Sequence, residues 1–557
     1  MLIFGKEGWL TNVYERSLFS VHSILERPMS SRLDIAGDRV FDSVVIGSGI
    51  NGSAVALELV RKGYDVAVLD KGDFGGGTSS RSTRLLHLGL RYFANGSDTP
   101  IRTFLTDPKS LADALRMAKL AMRTREEFVV GRPERVNPLD VYFPINRGGS
   151  YRPYHLKLGF KALGLLGRSM VPINNRRLPR KELRDHGLLA ALDKSTPLQD
   201  VFMFRDYQFD WPERIICDMI LEVKARGGMA LNYANVRSAN HVDGLWHLSV
   251  QDMRSGKNEV RTVKAKSIVN LAGIWLDQVN GSISLKDAGR KITGTKGIHI
   301  AIKLPAGYEN FALMTMSSHD QPIYCIPWKG IHYIGATETL FEGEWDKIVP
   351  EEKEVQFLLG EARILFPSLD LKREDVIYAW AGVRPWTYDQ PMLEKYKREK
   401  KLSNPIGARR RELHDLSEAS APNVIGLTAG PIMLHRETGR DVAGAVQAKI
   451  GPPSPSRREE AFQQPVPADI RYAETGNLAQ AVREAVDNEQ AASLVDIMFR
   501  RLPFGWREDM GTDVVDEVGQ VLREMNDWGA ERVENEIEQY HAYLREYHLF
   551  ETKQEEN

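Results

Sequence analysis

Three glycines begin a stretch whose spacing suits a phosphate-bearing ligand. Gly47, Gly49 and Gly52 stand between the apolar run 44–46 and a run with helical spacing. In such a unit the first glycine allows a tight turn, the second lets the backbone approach a pyrophosphate, and the third lets the helix pack against the strand. Asp70 ends the next apolar run, where its carboxylate can accept hydrogen bonds from a ribose. The spacing predicts a dinucleotide site with the pyrophosphate at a helix N-terminus.

The chain after Asp70 indicates which dinucleotide to expect. A nicotinamide-dependent dehydrogenase usually continues with another strand and helix, but here the glycine-rich residues 71–77 run directly into Thr78, Ser79 and Ser80. Small residues and hydroxyl donors suit a chain that lies along the phosphates and ring of a bound cofactor. The order of residues therefore favours a flavin that stays bound.

The elements that must position these residues are of two kinds. Short apolar runs at 44–46, 66–69 and 267–270, with a helix over 51–62, predict a parallel sheet covered by helices. The runs 322–327 and 332–334 instead predict strands of a mostly antiparallel sheet. A second domain is therefore expected to be inserted into the first.

Further elements follow from capping, turn and linker residues. A hairpin is expected across the turn 254–257, because strand-like runs flank it on both sides. The remaining predictions are helices over 108–127, 210–226, 477–499 and 513–547, with the Pro-rich residues 451–456 as a linker.

Composition excludes several classes of protein. The 557 residues include 74 basic and 75 acidic side chains, so the formal net charge of -1 provides no field that would attract nucleic acid. Cys217 and Cys325 are far apart in the sequence and form no CxxC or metal-binding spacing, which fits a reducing compartment and no metal. The first forty residues resemble neither a secretory signal nor a transit peptide. We expect a cytoplasmic protein.

One segment allows two interpretations. Residues 151–168 interleave Lys157, Lys161 and Arg168 with leucines and a phenylalanine. Such a helix could lie on the inner face of a membrane as a peripheral contact, or it could be half-buried with a basic outer face. The sequence leaves both interpretations open. It also leaves open whether the protein forms a homodimer.

The motif TSSRSTRLLHLGLRY, residues 78–92, resembles one in the FAD-dependent glycerol-3-phosphate dehydrogenase family, within the D-amino-acid-oxidase-like flavoproteins. That family carries TSS, a basic residue and an HGGLRY-type segment. The resemblance extends over nearly the whole chain after residue 40, through FDWPERI, NLAGIWLDQV, KGIHIAI, IPWKGIHYIGATET, AWAGVRPW and AVDNEQAASLVDIMFRR. It implies an FAD enzyme that removes a hydride from a secondary alcohol of a phosphorylated polyol and passes electrons to quinone or oxygen.

The resemblance also implies which residues contact FAD. The implied contacts are Gly47, Gly49, Asn51, Gly52, Asp70, Lys71, Thr78, Ser79, Ser80, Arg84, Val236, Ala272, Gly273, Trp275, Gly430, Pro431 and Ile432. Backbone at Val236 would meet the adenine. Gly430, just before a helical turn, would approach the flavin ring, where a helix terminus stabilises the reduced anion.

On the substrate side the resemblance implies a second set of residues. These are His87, Arg91, Tyr92, His299, Thr337 and Arg384. The arginines could hold a phosphate or carboxylate through two parallel hydrogen bonds. The catalytic set is His299, Arg384 and His87, with His299 as the candidate base for the hydroxyl proton while the hydride leaves for flavin N5.

Four positions depart from the family pattern on the substrate side. A family lysine is replaced by Pro431, a threonine by Ala336, a serine by Ile298 and a glycine by Leu88. We therefore expect a small anionic substrate, with glycerol 3-phosphate itself a poor one because a cation is lost and the site is crowded. Two alternatives remain: oxidation of an amine or hydroxy acid on the same fold, and a flavin-binding electron-transfer partner without turnover.

Together these features predict an α/β fold with three domains. A Rossmann-like FAD-binding domain would hold an inserted antiparallel-sheet substrate domain and be followed by a C-terminal helical domain. The expected boundaries are 1–40 for a leader, 41–100, 205–290 and 375–450 for the FAD-binding domain, 101–204 and 291–374 for the substrate domain, and 457–557 for the helical domain.

Overall fold

A computed structural model provides the coordinates. It describes residues 32–89, 108–147, 152–167, 171–178, 182, 198–254, 259–285, 288–308, 311–319, 321–399, 411–418, 421–457, 477–525 and 528–550. The predicted substrate residues Arg91 and Tyr92 lie outside this part of the chain. Every structural statement below concerns the described residues.

The strands are numbered along the chain. They are β1 Val40–Phe41, β2 Ser43–Ile46, β3 Val66–Leu69, β4 Leu85–Leu86, β5 Val136–Asn146, β6 Arg176–Leu178, β7 Leu198–Phe209, β8 Met229–Leu231, β9 Ala234–Val242, β10 Leu245–Asp252, β11 Val260–Ala265, β12 Ile268–Asn270, β13 Ile292–Ile302, β14 Ala312–Met316, β15 Pro322–Trp328, β16 Ile331–Gly335, β17 Thr339–Leu340, β18 Val376–Thr387, β19 Glu412–Asp415 and β20 Val424–Thr428.

The helices are numbered in the same way. They are α1 Ile50–Arg61, α2 Pro108–Gly131, α3 Pro153–Gly167, α4 Pro212–Ala225, α5 Leu276–Ser282, α6 Glu352–Leu365, α7 Gln390–Glu399, α8 His435–Ile450, α9 Leu478–Asp487, α10 Val515–Arg523 and α11 Ala530–His548. Among the described helices, none is long and apolar enough to cross a membrane.

A six-stranded sheet forms the dinucleotide-binding part of the molecule. Its order is β19-β20-β12-β2-β3-β8, and all neighbours are parallel except the edge strand β19. Helices α1, α4 and α8 pack together against one face of this sheet through aliphatic side chains. The sequence pattern of short apolar runs and an amphipathic helix reproduces this arrangement, because strands covered by helices read as continuous apolar runs. The α/β fold class is confirmed.

A larger sheet of ten strands carries the inserted domain. It is ordered β17-β13-β16-β15-β14-β5-β7-β4, with β18 paired to β13 and β6 paired to β7. The predicted strands in 322–327 and 332–334 are β15 and β16, which pair in antiparallel fashion. Strand β18 lies in a range predicted for the FAD-binding domain, yet it pairs with β13 along its length. The two strands are apolar and buried, so their backbone N–H and C=O groups need hydrogen-bond partners, which each strand provides for the other.

The two strands predicted to flank the turn 254–257 are β10 and β11, which pair in antiparallel fashion and join β1 and β9 in a four-stranded sheet, while residues 255–257 of that turn lie outside the described residues. Part of the segment predicted as a leader, residues 1–40, packs against this sheet. Leu33 and Ala36 are buried in the same core, and the Arg32 side chain pairs with Asp252 at 2.8 Å. The folded part of the chain therefore includes residues 32–40.

The C-terminal region is helical, as predicted, but its helices are shorter than the charge pattern suggested. Helix α9 ends at Asp487, and after a break the short helical turn Leu494–Asp496 leads directly into a π-helix, Ile497–Arg501. Helix α11 is continuous to His548. These helices share one hydrophobic core with the ten-stranded sheet, in which Trp328, Trp380 and Trp506 meet. The helical region is therefore fixed to the sheet through this core.

Candidate functional site

A cleft of about 620 Å³ lies where the carboxyl ends of β2 and β3 meet strand β18 and helix α11. Most of the predicted cofactor residues line it, together with His87, His299 and Arg384. Its size falls within the range usual for ligand sites. Ser80 and Thr337 do not line the cleft but support residues that do.

The glycine cradle closes one end of the cleft. Gly47 has φ of +98°, and a Cβ there would lie 2.6 Å from the Leu271 carbonyl oxygen. A Cβ on Gly52 would lie 1.8 Å from the Gly47 carbonyl oxygen. Helix α1 begins after Gly49, so its first amides face the space that these glycines leave open. The cradle fits the pyrophosphate of a dinucleotide.

Asp70 is fixed beside the cradle at the end of β3. One carboxylate oxygen accepts hydrogen bonds from the backbone N–H and the hydroxyl of Ser48, both at 2.6 Å, and the other accepts from the Gly72 N–H at 2.9 Å. Burial raises the pKa of Asp70 above its ordinary value, although these hydrogen bonds oppose the shift. A carboxylate has further lone pairs, so it can also accept from a ribose.

Lys71 and Trp275 stand at the outer rim of the cleft. The Lys71 ammonium lies 4.3 Å from the Trp275 ring centre and donates to Asp346 at 2.5 Å, and the Trp275 indole N–H donates to the same carboxylate at 2.8 Å. Asp346 belongs to residues 341–350, an irregular segment that we call the strap. Lys347 of the strap pairs with Glu546 of α11 at 2.5 Å. The strap therefore connects the cofactor end with the C-terminal helix.

The hydroxyl residues after the cradle act mainly on the protein. Thr78 donates to the Val383 carbonyl at 2.7 Å, Ser79 accepts from the Ile50 N–H at 3.0 Å, and Ser80 donates to the Gly77 carbonyl at 3.0 Å. Thr78 and Ser79 line the cleft and Ser80 does not. These bonds fix the loop against β18 and α1.

Arg84 was predicted to contact FAD, but its guanidinium is used inside the protein. It pairs with Glu213 at 2.9 Å, and neither side chain is exposed to solvent. The guanidinium lies 4.2 Å from the ring centre of Trp328 and 4.3 Å from that of Trp506. The charge of Arg84 is compensated there, so any contact with the cofactor would come from other atoms of the residue.

The opposite wall consists of backbone and small side chains. Val236, Ala272 and Gly273 line it, and Gly273 adopts φ of +59°. Gly430, Pro431 and Ile432 continue this wall and lead into α8. Asn51 donates to the Gly430 carbonyl at 2.8 Å, while its side-chain oxygen is buried without a hydrogen-bond donor. An unsatisfied acceptor beside the cleft fits a ligand that supplies an N–H or O–H group.

His299 lies on β13 beneath the cleft and is 1% exposed. Its ring stacks on Trp380 with centres 4.7 Å apart, and its Nε2 is 3.0 Å from the Thr83 hydroxyl oxygen. Burial, followed by the guanidinium groups of Arg384 and Arg84, holds the pKa of His299 well below its ordinary value. The ring is therefore neutral at physiological pH.

Arg384 extends from β18 over the backbone of β13. A Cβ on Gly297 would lie 2.4 Å from one of its terminal nitrogens, so only a glycine leaves room for the guanidinium. Arg384 donates to the Thr337 carbonyl at 3.4 Å and lies 3.8 Å from a Glu338 carboxylate oxygen. The Thr337 hydroxyl accepts from the Ile298 N–H at 2.9 Å, so Thr337 supports the floor beneath Arg384.

His87 lines the cleft in one defined tautomer. Its Nδ1 accepts a hydrogen bond from the Gly89 N–H at 3.0 Å. A neutral ring with Nδ1 as acceptor carries its proton on Nε2. His87 is therefore placed as a hydrogen-bond donor.

Two of the four departures from the family pattern do not crowd the cleft. Leu88 is fully buried in the core below β4, and Ile298 points into the core on the other face of β13 from His299. The expectation that these two side chains narrow the site was wrong: Leu88 is packed in a hydrophobic core, and Ile298 faces away from the cleft because alternate residues of a strand face opposite sides. Pro431 does line the cleft, and Ala336 is half-buried beside Thr337.

Several cleft residues were missed from the sequence. Thr83, Arg81, Arg500, Tyr543 and Tyr547 all line the cleft. Arg81 and Thr83 stand within the quoted motif, which could have identified them. The tyrosines are four residues apart on α11 and so share a face, but nothing local shows that this face meets the cofactor end.

Comparisons with known proteins agree with this geometry. Residues 42–431 match the family described as FAD dependent oxidoreductase, DAO. The chain is 26% identical to the glycerol-3-phosphate dehydrogenase of Synechocystis sp. over 571 aligned residues, 91% of this chain and 96% of that protein. It is also 26% identical to the aerobic glycerol-3-phosphate dehydrogenase of Staphylococcus aureus, over 63% of this chain and 59% of that protein.

A solved structure shares the fold. The glycerol-3-phosphate dehydrogenase of Bacillus halodurans, complexed with FAD, superposes with a TM-score of 0.65 at 20% identity, over 92% of this chain and 95% of that one.

Proposed function

The chain belongs to the FAD-dependent oxidoreductase family and FAD is its cofactor, and on that premise we propose that it oxidises the secondary alcohol of a small phosphorylated polyol such as glycerol 3-phosphate. The relatives named as glycerol-3-phosphate dehydrogenases support this substrate class. Electrons then pass to a quinone or to oxygen.

One observation carries the proposal: Arg384 lies on a glycine floor in the same cleft as the dinucleotide cradle. Its planar guanidinium can hold a phosphate through two parallel hydrogen bonds, which fixes the orientation of the rest of the substrate. The floor also keeps bulk away from the place where a small alcohol must lie. An anion-binding group next to the cofactor is what a phosphorylated alcohol requires.

The residues divide the remaining work. FAD, when bound, supplies the acceptor for two electrons. His299 is neutral, and with its Nε2 as the acceptor of a hydrogen bond from the Thr83 hydroxyl, 3.0 Å away, it can take the substrate's hydroxyl proton through Thr83. With its Nδ1 accepting from the Gly89 N–H, a neutral His87 would carry the proton on Nε2 and could donate it to a substrate oxygen. The proton and the phosphate are thus handled by different side chains.

A panel of compounds added without oxygen tests the proposal. The protein should purify with FAD, and its visible flavin band should bleach with glycerol 3-phosphate but not with glycerol, glycine or lactate. Bleaching by an amine or a hydroxy acid alone would refute the substrate class. A band that responds only to dithionite would indicate a flavin protein without turnover.

The kcat/KM for glycerol 3-phosphate measures how far Pro431, in place of a family lysine, weakens substrate binding. Loss of one charged donor to a buried anion costs about 1.5–3 kcal/mol, or roughly ten- to a hundredfold in affinity. Crowding of the substrate by Leu88 and Ile298 no longer contributes to this expectation, since both side chains point into hydrophobic cores. A kcat/KM for glycerol 3-phosphate of about 10⁴ M⁻¹s⁻¹ or more would show that Arg384 compensates for the missing lysine.

We further propose that α3 rests on an anionic membrane surface. Tyr154, Leu158 and Leu165 are exposed on this helix, at 55%, 55% and 74%, beside the exposed Lys157 and Lys161. Exposed apolar side chains flanked by lysines are typical of an interfacial helix. Anionic vesicles should sediment the protein at low salt and release it at high salt, and Leu158→Ser should weaken this binding. Sedimentation that ignores vesicles and salt alike would leave α3 as an ordinary half-buried helix.

A further inference from the structure

Arg81 is a half-buried arginine in the wall of the cleft whose guanidinium contacts only neutral groups. It donates to the hydroxyl of Tyr543 and to Nε2 of His548, the latter at 3.2 Å. Within the part of the chain that the structure describes, no carboxylate lies within ion-pair distance of Arg81. Among the described residues its positive charge therefore has no ionic partner.

Two other arginines near the cleft have ionic partners inside the protein. Arg84 is paired with Glu213 at 2.9 Å, and Arg501 is paired with Asp73 at 2.7 Å, both out of contact with solvent. Burying a guanidinium usually requires such compensation. Among the described residues Arg81 lacks it, although it faces a cleft that takes a phosphorylated cofactor, and this favours a ligand as its anionic partner.

The position of Arg81 relative to the floor supports this assignment. A Cβ on Gly382 would lie 2.6 Å from the Arg81 Cβ, so Arg81 rests on that glycine. Gly382 is the register partner of Gly297, over which the Arg384 guanidinium lies. Arg81 and Arg384 therefore pack against the two glycines of one register pair, where the cofactor and substrate ends of the cleft meet.

The acceptors of Arg81 are held rigidly by the C-terminal helix. The Tyr543 ring stacks on Tyr547 with centres 4.9 Å apart, and the His548 ring stacks on Phe499 at 5.0 Å. His548 is fully buried. Because an arginine only donates, Nε2 of His548 must accept, so this ring is neutral at that nitrogen. Two fixed neutral acceptors orient the guanidinium without neutralising it.

We propose that Arg81 binds a phosphate group in the cleft and that Tyr543 and His548 act as its positioning residues. The phosphate comes either from the pyrophosphate of FAD or from the phosphorylated substrate, and the second source rests on the proposed function. The C-terminal helix would then take part in ligand binding through a residue that lies 462 positions earlier in the chain.

Two binding constants measured on the full-length protein distinguish the sources. Arg81→Gln should raise either the Kd for FAD, titrated into the flavin-free protein, or the KM for glycerol 3-phosphate at saturating FAD, by roughly ten- to a hundredfold. Tyr543→Phe keeps the ring and removes one acceptor, so it should raise the same constant by about two- to fivefold. Tyr540→Phe is the control, since this tyrosine lies on the same helix, does not line the cleft and donates its hydroxyl to the Met510 carbonyl at 2.6 Å, and it should change neither constant.

A salt series and a double variant separate binding from folding. The affected constant should rise with salt in the wild-type protein and rise less in Arg81→Gln, because a screened charge has been removed. Arg81→Gln combined with Tyr543→Phe should be no weaker than Arg81→Gln alone.

The proposal is overturned if Arg81→Gln leaves both constants within twofold of wild type, if Tyr540→Phe reproduces the effect of Tyr543→Phe, or if the effects of Arg81→Gln and Tyr543→Phe add. If the wild-type protein turns over no glycerol 3-phosphate, the proposed substrate fails, while the FAD titration still decides whether Arg81 binds phosphate.

Discussion

The two ends of the cleft are built from different material. At the cofactor end, glycines and backbone amides within residues 47–79 form the cradle, and one carboxylate, Asp70, is held by hydrogen bonds from its neighbours. At the substrate end, side chains from β13 and β18 meet over a pair of glycines and hold each other in place. The cradle depends on glycines that leave room for the backbone, whereas the substrate end depends on the chemistry of each of its side chains.

This difference predicts which changes should be costly. A variant at the substrate end should lose turnover and keep the flavin, and a variant at the cofactor end should do the reverse. The following variants test that separation, beginning with the largest expected effect.

Arg384→Lys should lower kcat/KM by about a hundredfold or more while the FAD content stays normal. Lysine preserves the charge but removes the planar fork that orients a phosphate. Arg373→Lys, the same substitution at an exposed arginine paired with Glu352, should have no effect. Near-normal turnover by Arg384→Lys would show that the substrate end does not depend on this residue.

Relative to wild type, Asp206→Asn should be more stabilising at pH 8 than at pH 5. Burial raises the pKa of Asp206 to about 7, even though the nearby Arg125 opposes the shift. A carboxyl whose folded pKa is raised loses stability as pH rises from its unfolded value toward its folded value, here from about 4 to about 7. Between pH 5 and pH 8 the loss amounts to about 2–3 kcal/mol.

Urea unfolding of both proteins at the two pH values measures this difference. The Asp206 carboxylate accepts from the Leu88 N–H at 2.7 Å, and an asparagine oxygen can keep that bond. An equal difference between variant and wild type at pH 5 and pH 8 would contradict the titration.

Asp70→Ala should weaken FAD retention by roughly 1–3 kcal/mol, the cost of losing hydrogen bonds to a charged group. Residual turnover at saturating FAD should stay close to normal, because the substrate end is untouched. Asp38→Ala serves as the control at an exposed aspartate. Unchanged flavin content at limiting FAD would count against the proposed ribose contact.

Asp346→Asn tests the strap, which lies between the two ends. Its carboxylate is 62% exposed, so its contacts to Lys71 and Trp275 are screened and each is weak. We expect FAD release to be about two- to fivefold faster at low salt and equal to wild type at high salt. Glu342→Gln, on the same segment, should release FAD at the wild-type rate, and a difference that persists at high salt would exclude the ion pair as its cause.

Much of the cofactor end was readable from the sequence. The glycine spacing, the helix over 51–62 and the run at 66–69 correspond to the cradle, α1 and β3, because each depends on residues close together in the chain. Local sequence was less informative about Arg84. Its motif implied a cofactor contact, but the packing of Trp328 and Trp506 and the charge of Glu213 place the guanidinium in the core.

The sequence by itself determined the α/β fold and the glycine cradle, and the family resemblance indicated Arg384 and His299, both of which line the cleft. The tertiary structure decided what those residues can do. Only the register of β13 against β18 places Gly297 beneath Arg384, and only packing against Thr83 and Trp380 makes His299 a buried neutral ring. The hydrogen bonds from Arg81 to Tyr543 and His548 of α11 could not be predicted either. Contacts between residues far apart in the chain depend on tertiary packing, which local sequence patterns do not indicate.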